Sequence, residues 1–181
     1  MPAKLTPPVS KSDHVLGNPE AMIELVEYGD YQCPHCGAAH PIVKNIQKTF
    51  GKKLKFVFRH FPLSNIHEYA LYSALAAEAA GKQHRFWEMH DMIFEHQPQL
   101  SQYALLDFAI ELGLNIPLFR MDLEDPPLAE KVELDFESGV RSGVNGTPSF
   151  FIIGYKYNGA YDFTSLSAAI EIFILQKEYK Q

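Results

Sequence analysis

Residues 22–36 read MIELVEYGDYQCPHC, an apolar run followed by a turn and two closely spaced cysteines. The run from Ala21 to Tyr28 carries apolar residues on both alternations, which is typical of a strand buried on both faces. The Gly29-Asp30 pair that follows is a turn signal. This stretch therefore predicts a central strand that leads directly into the cysteine pair.

The central strand, a helix and a second strand form a β-α-β pattern, which a short edge strand precedes. Residues 14–16 predict a short edge strand before it. After the cysteines, Ala38–Phe50 has apolar residues at three- to four-residue spacing, which predicts a helix that ends at Gly51. Leu54–Phe61 then alternates in the manner of a strand, and Pro62 ends it.

A long helical region follows, and the strand pattern returns only near the end of the chain. From Ile66 the apolar period is helical for about eighty residues, which is too long for an ordinary crossover connection. Ser101, Asn115 and Asp125 are predicted N-caps within it. The end of the chain predicts strands at 149–153 and 155–160 and a closing amphipathic helix.

A β-α-β half and a β-β-α half around one sheet predict an α/β protein with thioredoxin topology. The helical region between the halves is then an inserted all-helical subdomain. The predicted domains are a thioredoxin-fold domain formed by residues 1–62 and 144–181, and a helical insertion formed by residues 63–143.

Composition narrows the possible functions and partners. The 181 residues carry a formal net charge of −6 without a basic patch, so we expect neither nucleic acid nor a membrane as a partner. No apolar stretch long enough for a membrane span or a secretory signal is visible. We therefore expect a cytoplasmic protein, or a periplasmic one if an export signal has been removed. No cofactor motif is present.

The two cysteines, Cys33 and Cys36, have the spacing of a redox pair. At a helix N-terminus the unpaired N–H groups and the helix dipole favour the thiolate of Cys33, which is the expected nucleophile. Cys36, one helical turn further on, is the expected resolving thiol. His35 between them can add positive charge or donate a hydrogen bond to the Cys33 sulfur.

Three other interpretations of the cysteine pair remain open. A purely structural disulfide is one, although so short a loop gives little stabilisation. A metal site or metal carrier that uses Cys33 and Cys36 with His35 and His40 is another, but structural zinc needs four converging ligands, and we predict no metal. The third is a peptide-binding module without turnover.

Two further features lie near the predicted site. Pro148 starts a predicted strand, and a cis Thr147–Pro148 bond would turn the main-chain groups of Thr147 toward a bound peptide. Glu27 lies on the predicted central strand, where an acid is costly unless it is paired or functional. It could relay the Cys36 proton, or it could reach solvent or pair with Arg59.

Several segments of the sequence resemble the bacterial DsbA-like proteins of the thioredoxin superfamily, specifically their short group. The resemblance extends over nearly the whole chain and is carried by the segments 13–17, 25–36, 59–63, 86–90 and 143–151. It implies a thioredoxin fold with inserted helices and a Cys33-Pro34-His35-Cys36 redox centre. It also implies a cis Pro148, and protein or peptide dithiols and disulfides as substrates. Glutathione or a thioredoxin-type protein is the expected redox partner.

Overall fold

The computed structural model describes residues 3–178, with side chains up to residue 175. Residues 1–2 and 179–181, which the predicted thioredoxin-fold domain includes, lie outside the described residues. The elements, in chain order, are β1 (His14–Gly17), β2 (Ile23–Gly29), α1 (Pro34–Phe50), β3 (Leu54–His60), α2 (Ala70–Lys82), α3 (Phe86–Glu95), α4 (Gln102–Glu111), α5 (Ile116–Leu123), α6 (Pro126–Arg141), β4 (Ser149–Ile152), β5 (Tyr155–Tyr157) and α7 (Phe163–Glu178).

The five strands form one sheet in the order β1-β3-β2-β4-β5, so β2 is central. β1 runs antiparallel to β3, and β4 runs antiparallel to both β2 and β5. Every residue of β2 except Glu24 is buried, as expected for a strand covered on both faces. The predicted central strand and the predicted α/β class with inserted helices are therefore confirmed.

Two predicted element boundaries differ from the structure by three or more residues. Helix α1 begins at Pro34 rather than Ala38, because proline is well tolerated in the first helical position, where its missing N–H has no partner to lose. Strand β5 ends at Tyr157 rather than Ala160. The hydroxyl of Tyr157 donates a hydrogen bond to the Ala160 carbonyl at 2.8 Å, so the residues after the strand bond to a side chain of the strand itself.

The first of two compact units contains most of the sheet. Among the described residues it comprises 3–28, 38–59 and 138–178. Apolar side chains of β2, α1, β3, β4 and α7 form its core. Among the most completely buried are Ile23, Leu25, Val26, Ile46, Val57, Phe58, Phe151, Leu166 and Ile170.

The second compact unit comprises residues 29–37 and 60–137. Helix α2 contacts α3, α4 and α5, and most of its buried positions are alanines, whose small side chains allow neighbouring helices to approach closely. The segment that carries both cysteines packs within this unit, although it lies in the predicted thioredoxin-fold domain. The predicted boundaries at residues 62 and 144 stay a prediction.

The helix caps at Ser101 and Asn115 are confirmed. The Ser101 hydroxyl accepts from the Ala104 N–H at 3.0 Å, and the Asn115 side chain accepts from the Leu118 N–H at 3.1 Å. Across residues 3–178, no helix combines the length and the apolar character needed to cross a bilayer.

Candidate functional site

The two cysteines lie on the segment 29–37, which we call the cysteine loop. It leaves the end of β2 and enters α1. The N–H of Cys33 donates to the Asp30 carbonyl, and the carbonyl of Cys33 accepts from the N–H of Gly37, each at 3.1 Å. The second of these bonds is the first turn of α1, so Cys33 occupies the N-cap position and Cys36 lies one turn into the helix.

The loop exposes the two middle residues of the motif and buries both cysteines. Pro34 and His35 are exposed, Cys33 is 5% exposed and Cys36 is fully buried. The main-chain N–H of Asp30 donates to Sγ of Cys36 at 3.5 Å. Because a hydrogen-bond donor stabilises a sulfur anion, this contact favours the thiolate of Cys36 when the pair is open.

A buried carboxylate holds the start of the loop. Oδ1 of Asp30 accepts from the N–H of Gln32 at 2.7 Å, and Oδ2 accepts from the N–H of Leu63 at 2.9 Å and from Nδ1 of His67 at 2.7 Å. The Asp30 side chain is 0% exposed, whereas His67 is 18% exposed. Three donors therefore satisfy an acid that would otherwise be very costly to bury.

Tyr31 anchors the middle of the loop in an aromatic cluster. Its hydroxyl and Nδ1 of His90 are 3.0 Å apart. Its ring lies 4.9 Å from that of Phe94 and 5.9 Å from that of His60, measured between centroids. His60 in turn forms a buried pair with Glu78, with 2.8 Å between Nε2 and Oε1. The loop thus rests on packed side chains from residues 60–94.

A side chain from a distant turn completes the support. Nε2 of Gln97 donates to the carbonyls of Tyr31 and Cys33, at 2.8 Å in each case. Gln32 makes a similar link, because its Oε1 accepts from the N–H of Tyr69 at 2.6 Å.

The sequence pattern does not predict these supporting residues. It identifies Asp30 only as part of a turn signal, and it gives no indication of a role for His67, His90 or Gln97. The only available signal was the position of Asp30 beside the motif. His67 and Gln97 lie 37 and 64 or more residues from the groups that they contact, outside any local pattern.

Glu27 is 2% exposed on β2 and opposite Phe150 of β4. The interpretation in which this acid reaches solvent is therefore wrong. Arg59 is the residue with which Glu27 is alternatively expected to pair. It makes a two-pronged ion pair with Asp13, at 2.8 and 3.0 Å, and also donates to the hydroxyl of Tyr28. Burial lowers the pKa of Arg59, but the hydrogen bonds to Asp13 and Tyr28 outweigh it and raise the pKa above its usual value. The predicted proton-relay role of Glu27 stays a prediction.

The Thr147–Pro148 peptide bond is cis. Pro148 lies immediately before β4 rather than at its first position, which Ser149 occupies. The hydroxyl of Ser149 donates to the carbonyl of Gly146 at 2.8 Å, which closes the turn. The expected substrate contacts of Thr147 and Pro148 stay a prediction.

The chain is similar in sequence to proteins named as Na⁺/H⁺ antiporters. It is 44% identical over 158 residues to NhaA 1 of Salinispora arenicola, which covers 87% of this chain and 24% of that protein. It is 38% identical over 172 residues to NhaA of Herminiimonas arsenicoxydans, covering 94% of this chain and 27% of that protein. The chain thus spans about a quarter of the length of these relatives.

Solved structures show the same architecture over nearly the whole chain. A thioredoxin-like oxidoreductase from Silicibacter pomeroyi is 27% identical with a TM-score of 0.78, covering 90% of this chain and 92% of that one. BdbD of Bacillus subtilis is 26% identical with a TM-score of 0.81, covering 96% and 98%. The alpha-DsbA1 protein of Wolbachia pipientis, at 23% identity and a TM-score of 0.83 over 97% of each chain, shows the shared fold.

The family model described as thioredoxin matches residues 9–172. This match and the structural similarities confirm the predicted thioredoxin fold with a helical insertion. The predicted resemblance to the DsbA-like proteins is confirmed as a likeness of fold. The chain therefore belongs to the thioredoxin family.

Proposed function

We propose that this chain exchanges disulfides with polypeptides through Cys33 and Cys36. The observation that carries the proposal is the position of the two sulfurs in one helical turn. Cys33 caps α1, and Cys36 accepts a main-chain hydrogen bond from Asp30. The outer sulfur is then the nucleophile, and the inner one resolves the intermediate.

The exchange needs only sulfur chemistry. In the oxidising direction a substrate thiolate attacks Sγ of Cys33 in the closed pair, a mixed disulfide forms and Cys36 leaves as a thiolate. A second substrate thiolate then attacks the substrate sulfur of the mixed disulfide and releases Cys33 as a thiolate. The substrate loses two electrons and two protons, and the pair gains them. The reducing direction is the reverse sequence.

The exposed motif residues modulate this chemistry. Pro34 starts α1 without an N–H, and His35 is exposed beside the nucleophile. A protonated imidazole at position 35 would favour the thiolate of Cys33 and make the pair more oxidising. In this proposal the substrates are protein or peptide dithiols and disulfides, and glutathione or a thioredoxin-type protein restores the pair. Thr147 and Pro148 are the proposed peptide contacts.

The proposal concerns the quarter of the antiporter relatives that the chain matches. We assign it no ion transport, because the name of those relatives describes proteins about four times as long. The predicted cytoplasmic localisation stays a prediction.

Insulin reduction with glutathione as the electron donor tests the proposal. The wild type should accelerate precipitation of the insulin B chain, and Cys33→Ser should abolish the acceleration. Equal turnover by the two proteins would refute the exchange reaction. Peptide binding by both proteins without turnover in either would favour a binding module, and stoichiometric metal in the purified wild type would favour a metal carrier.

A further inference from the structure

The side chain of Gln97 makes a specific contact with the cysteine loop from a short 3-10 turn, Gln97–Gln99, between α3 and α4. Its single amide nitrogen supplies both hydrogens to main-chain carbonyls, those of Tyr31 and Cys33. Both bonds are 2.8 Å long, which is within the ideal range for N–H···O contacts. The two carbonyls flank Gln32, so one side chain fixes the direction of the backbone on both sides of that residue.

The Cys33 carbonyl also determines where α1 begins. It accepts the first helical bond, from the N–H of Gly37, and the hydrogen bond from Gln97 at the same time. Pro34 contributes no N–H, so the first-turn donors that can stabilise a Cys33 thiolate are those of His35 and Cys36. Their direction follows the orientation of the peptide groups at the helix start, which Gln97 restrains.

Position 37 is a glycine, and the absence of a side chain there makes space for the Gln97 carboxamide. A Cβ at position 37 would overlap Oε1 of Gln97 and lie 3.0 Å from its Cδ. A glycine in the first turns of a helix costs about 1 kcal/mol relative to alanine. The three atoms nearest to that Cβ would all belong to the Gln97 carboxamide, so the absent side chain leaves space for this group.

We propose that Gln97 is a positioning residue for the redox pair, which sets the nucleophilicity of Cys33 by holding the Tyr31 and Cys33 carbonyls. This inference rests on the proposed disulfide exchange. Gln97 acts on the pair through the main-chain carbonyls that its side chain holds.

The test measures the pH profile of Cys33 alkylation by iodoacetamide, in a Cys36→Ser background so that only one thiol reacts. Gln97→Met keeps the length of the side chain and removes both donors. We expect the midpoint of its profile to rise by roughly half a pH unit or more, the size of a lost helix-dipole interaction. Gln99→Met, an exposed position of the same turn, is the matched control and should keep the parent profile.

A second pair of variants tests the link through Gly37. Gly37→Ala should displace the Gln97 carboxamide and raise the midpoint as Gln97→Met does. In a Gln97→Ala background the same Gly37→Ala change should add no further shift, because the group that it displaces is gone. Independent effects of the two substitutions would overturn the proposal, as would an unchanged profile in a folded Gln97→Met or Gly37→Ala protein.

Alkylation requires no substrate, so this inference and the proposed function can fail separately. If insulin turnover does not depend on Cys33, the exchange reaction is wrong whatever the profiles show. If turnover depends on Cys33 and the profiles of the Gln97 variants match the parent, only the positioning role is wrong.

Discussion

The N–H of Asp30 donates to the Sγ of Cys36 at 3.5 Å, while the carboxylate of the same Asp30 is completely buried under three donors. A residue outside the C-x-x-C motif therefore contacts the inner sulfur with its backbone and secures its own position with its side chain.

Asp30→Asn should lower the free energy of unfolding by about 1–3 kcal/mol. The substitution replaces one carboxylate oxygen, which accepts a hydrogen bond, with an amide NH₂, which is itself a donor and would face another donor. Urea denaturation measures the change. Asp107→Asn is the matched control, since Asp107 is exposed on α4, and it should stay within about 0.5 kcal/mol of the wild type. Equal unfolding midpoints for Asp30→Asn and the control would show that the three hydrogen bonds do not hold the loop.

Cys36→Ser should trap the exchange half-way. Without a resolving thiol, the mixed disulfide between Cys33 and a protein substrate accumulates, because the step that normally opens it is intramolecular. Non-reducing electrophoresis with an added disulfide-containing protein detects the adduct. The double variant Cys33→Ser/Cys36→Ser should give none, and an adduct in that protein would mean that another group captures the substrate.

Arg59→Met should be among the most destabilising single changes in the sheet unit. It leaves the Asp13 carboxylate, 4% exposed, without its two-pronged partner, and such losses cost about 3–5 kcal/mol. Thermal and urea denaturation measure the loss. Arg85→Lys, in an exposed pair with Glu88, serves as the comparison and should change stability by less than about 1 kcal/mol.

His84→Gly should stabilise the protein. His84 has a φ of 61° just after α2, where the N–H groups of His84 and Arg85 bond back to the carbonyls of Gly81 and Ala80. Helices that end in this way favour glycine at that position, so we expect a gain of about 0.5–1 kcal/mol by urea denaturation.

The reverse change is the control for His84→Gly. Gly113 holds the equivalent place after α4, with a φ of 69° and open space around it. Gly113→Ala should therefore lose a similar amount of stability. A loss in His84→Gly would contradict the backbone argument.

Asp162 gives a pH dependence of known sign. Hydrogen bonds from the main chain and side chain of Ser165 hold the pKa of this exposed carboxyl below its ordinary value of 3.8. A depressed pKa stabilises the fold above the unfolded value, and the contribution is lost as the pH falls through the folded value. The difference in melting temperature between wild type and Asp162→Asn should therefore shrink below about pH 4. A difference that stays constant with pH would contradict this assignment.

The sequence predicts those parts of the molecule that depend on local periodicity. Strand β2 follows from its apolar run, and the caps at Ser101 and Asn115 follow from their position before apolar helices. The end of α2 is less predictable, because His84 takes a left-handed conformation in which glycine is expected. The backbone bonds back to Gly81 and Ala80 form here with histidine in the place of glycine.

The surroundings of the cysteines are harder to read from the sequence. The motif itself is local, and so is its position between a strand and a helix. The residues that support the motif are distant from it in sequence. The amide of Gln97 and the imidazole of His67 contact the cysteine loop only in the folded chain. Neither side chain belongs to a periodic pattern, so no rule based on spacing identifies them.

The cysteine loop packs with residues 60–137 in one compact unit, so the motif cannot be separated from those residues without losing its supporting contacts. A protein engineer who removed those helices, or moved the four-residue motif onto another sheet, would keep both sulfurs and lose the amide and the imidazole that arrange them. Substitutions between residues 60 and 137 can therefore change the surroundings of both sulfurs without altering the four-residue motif itself.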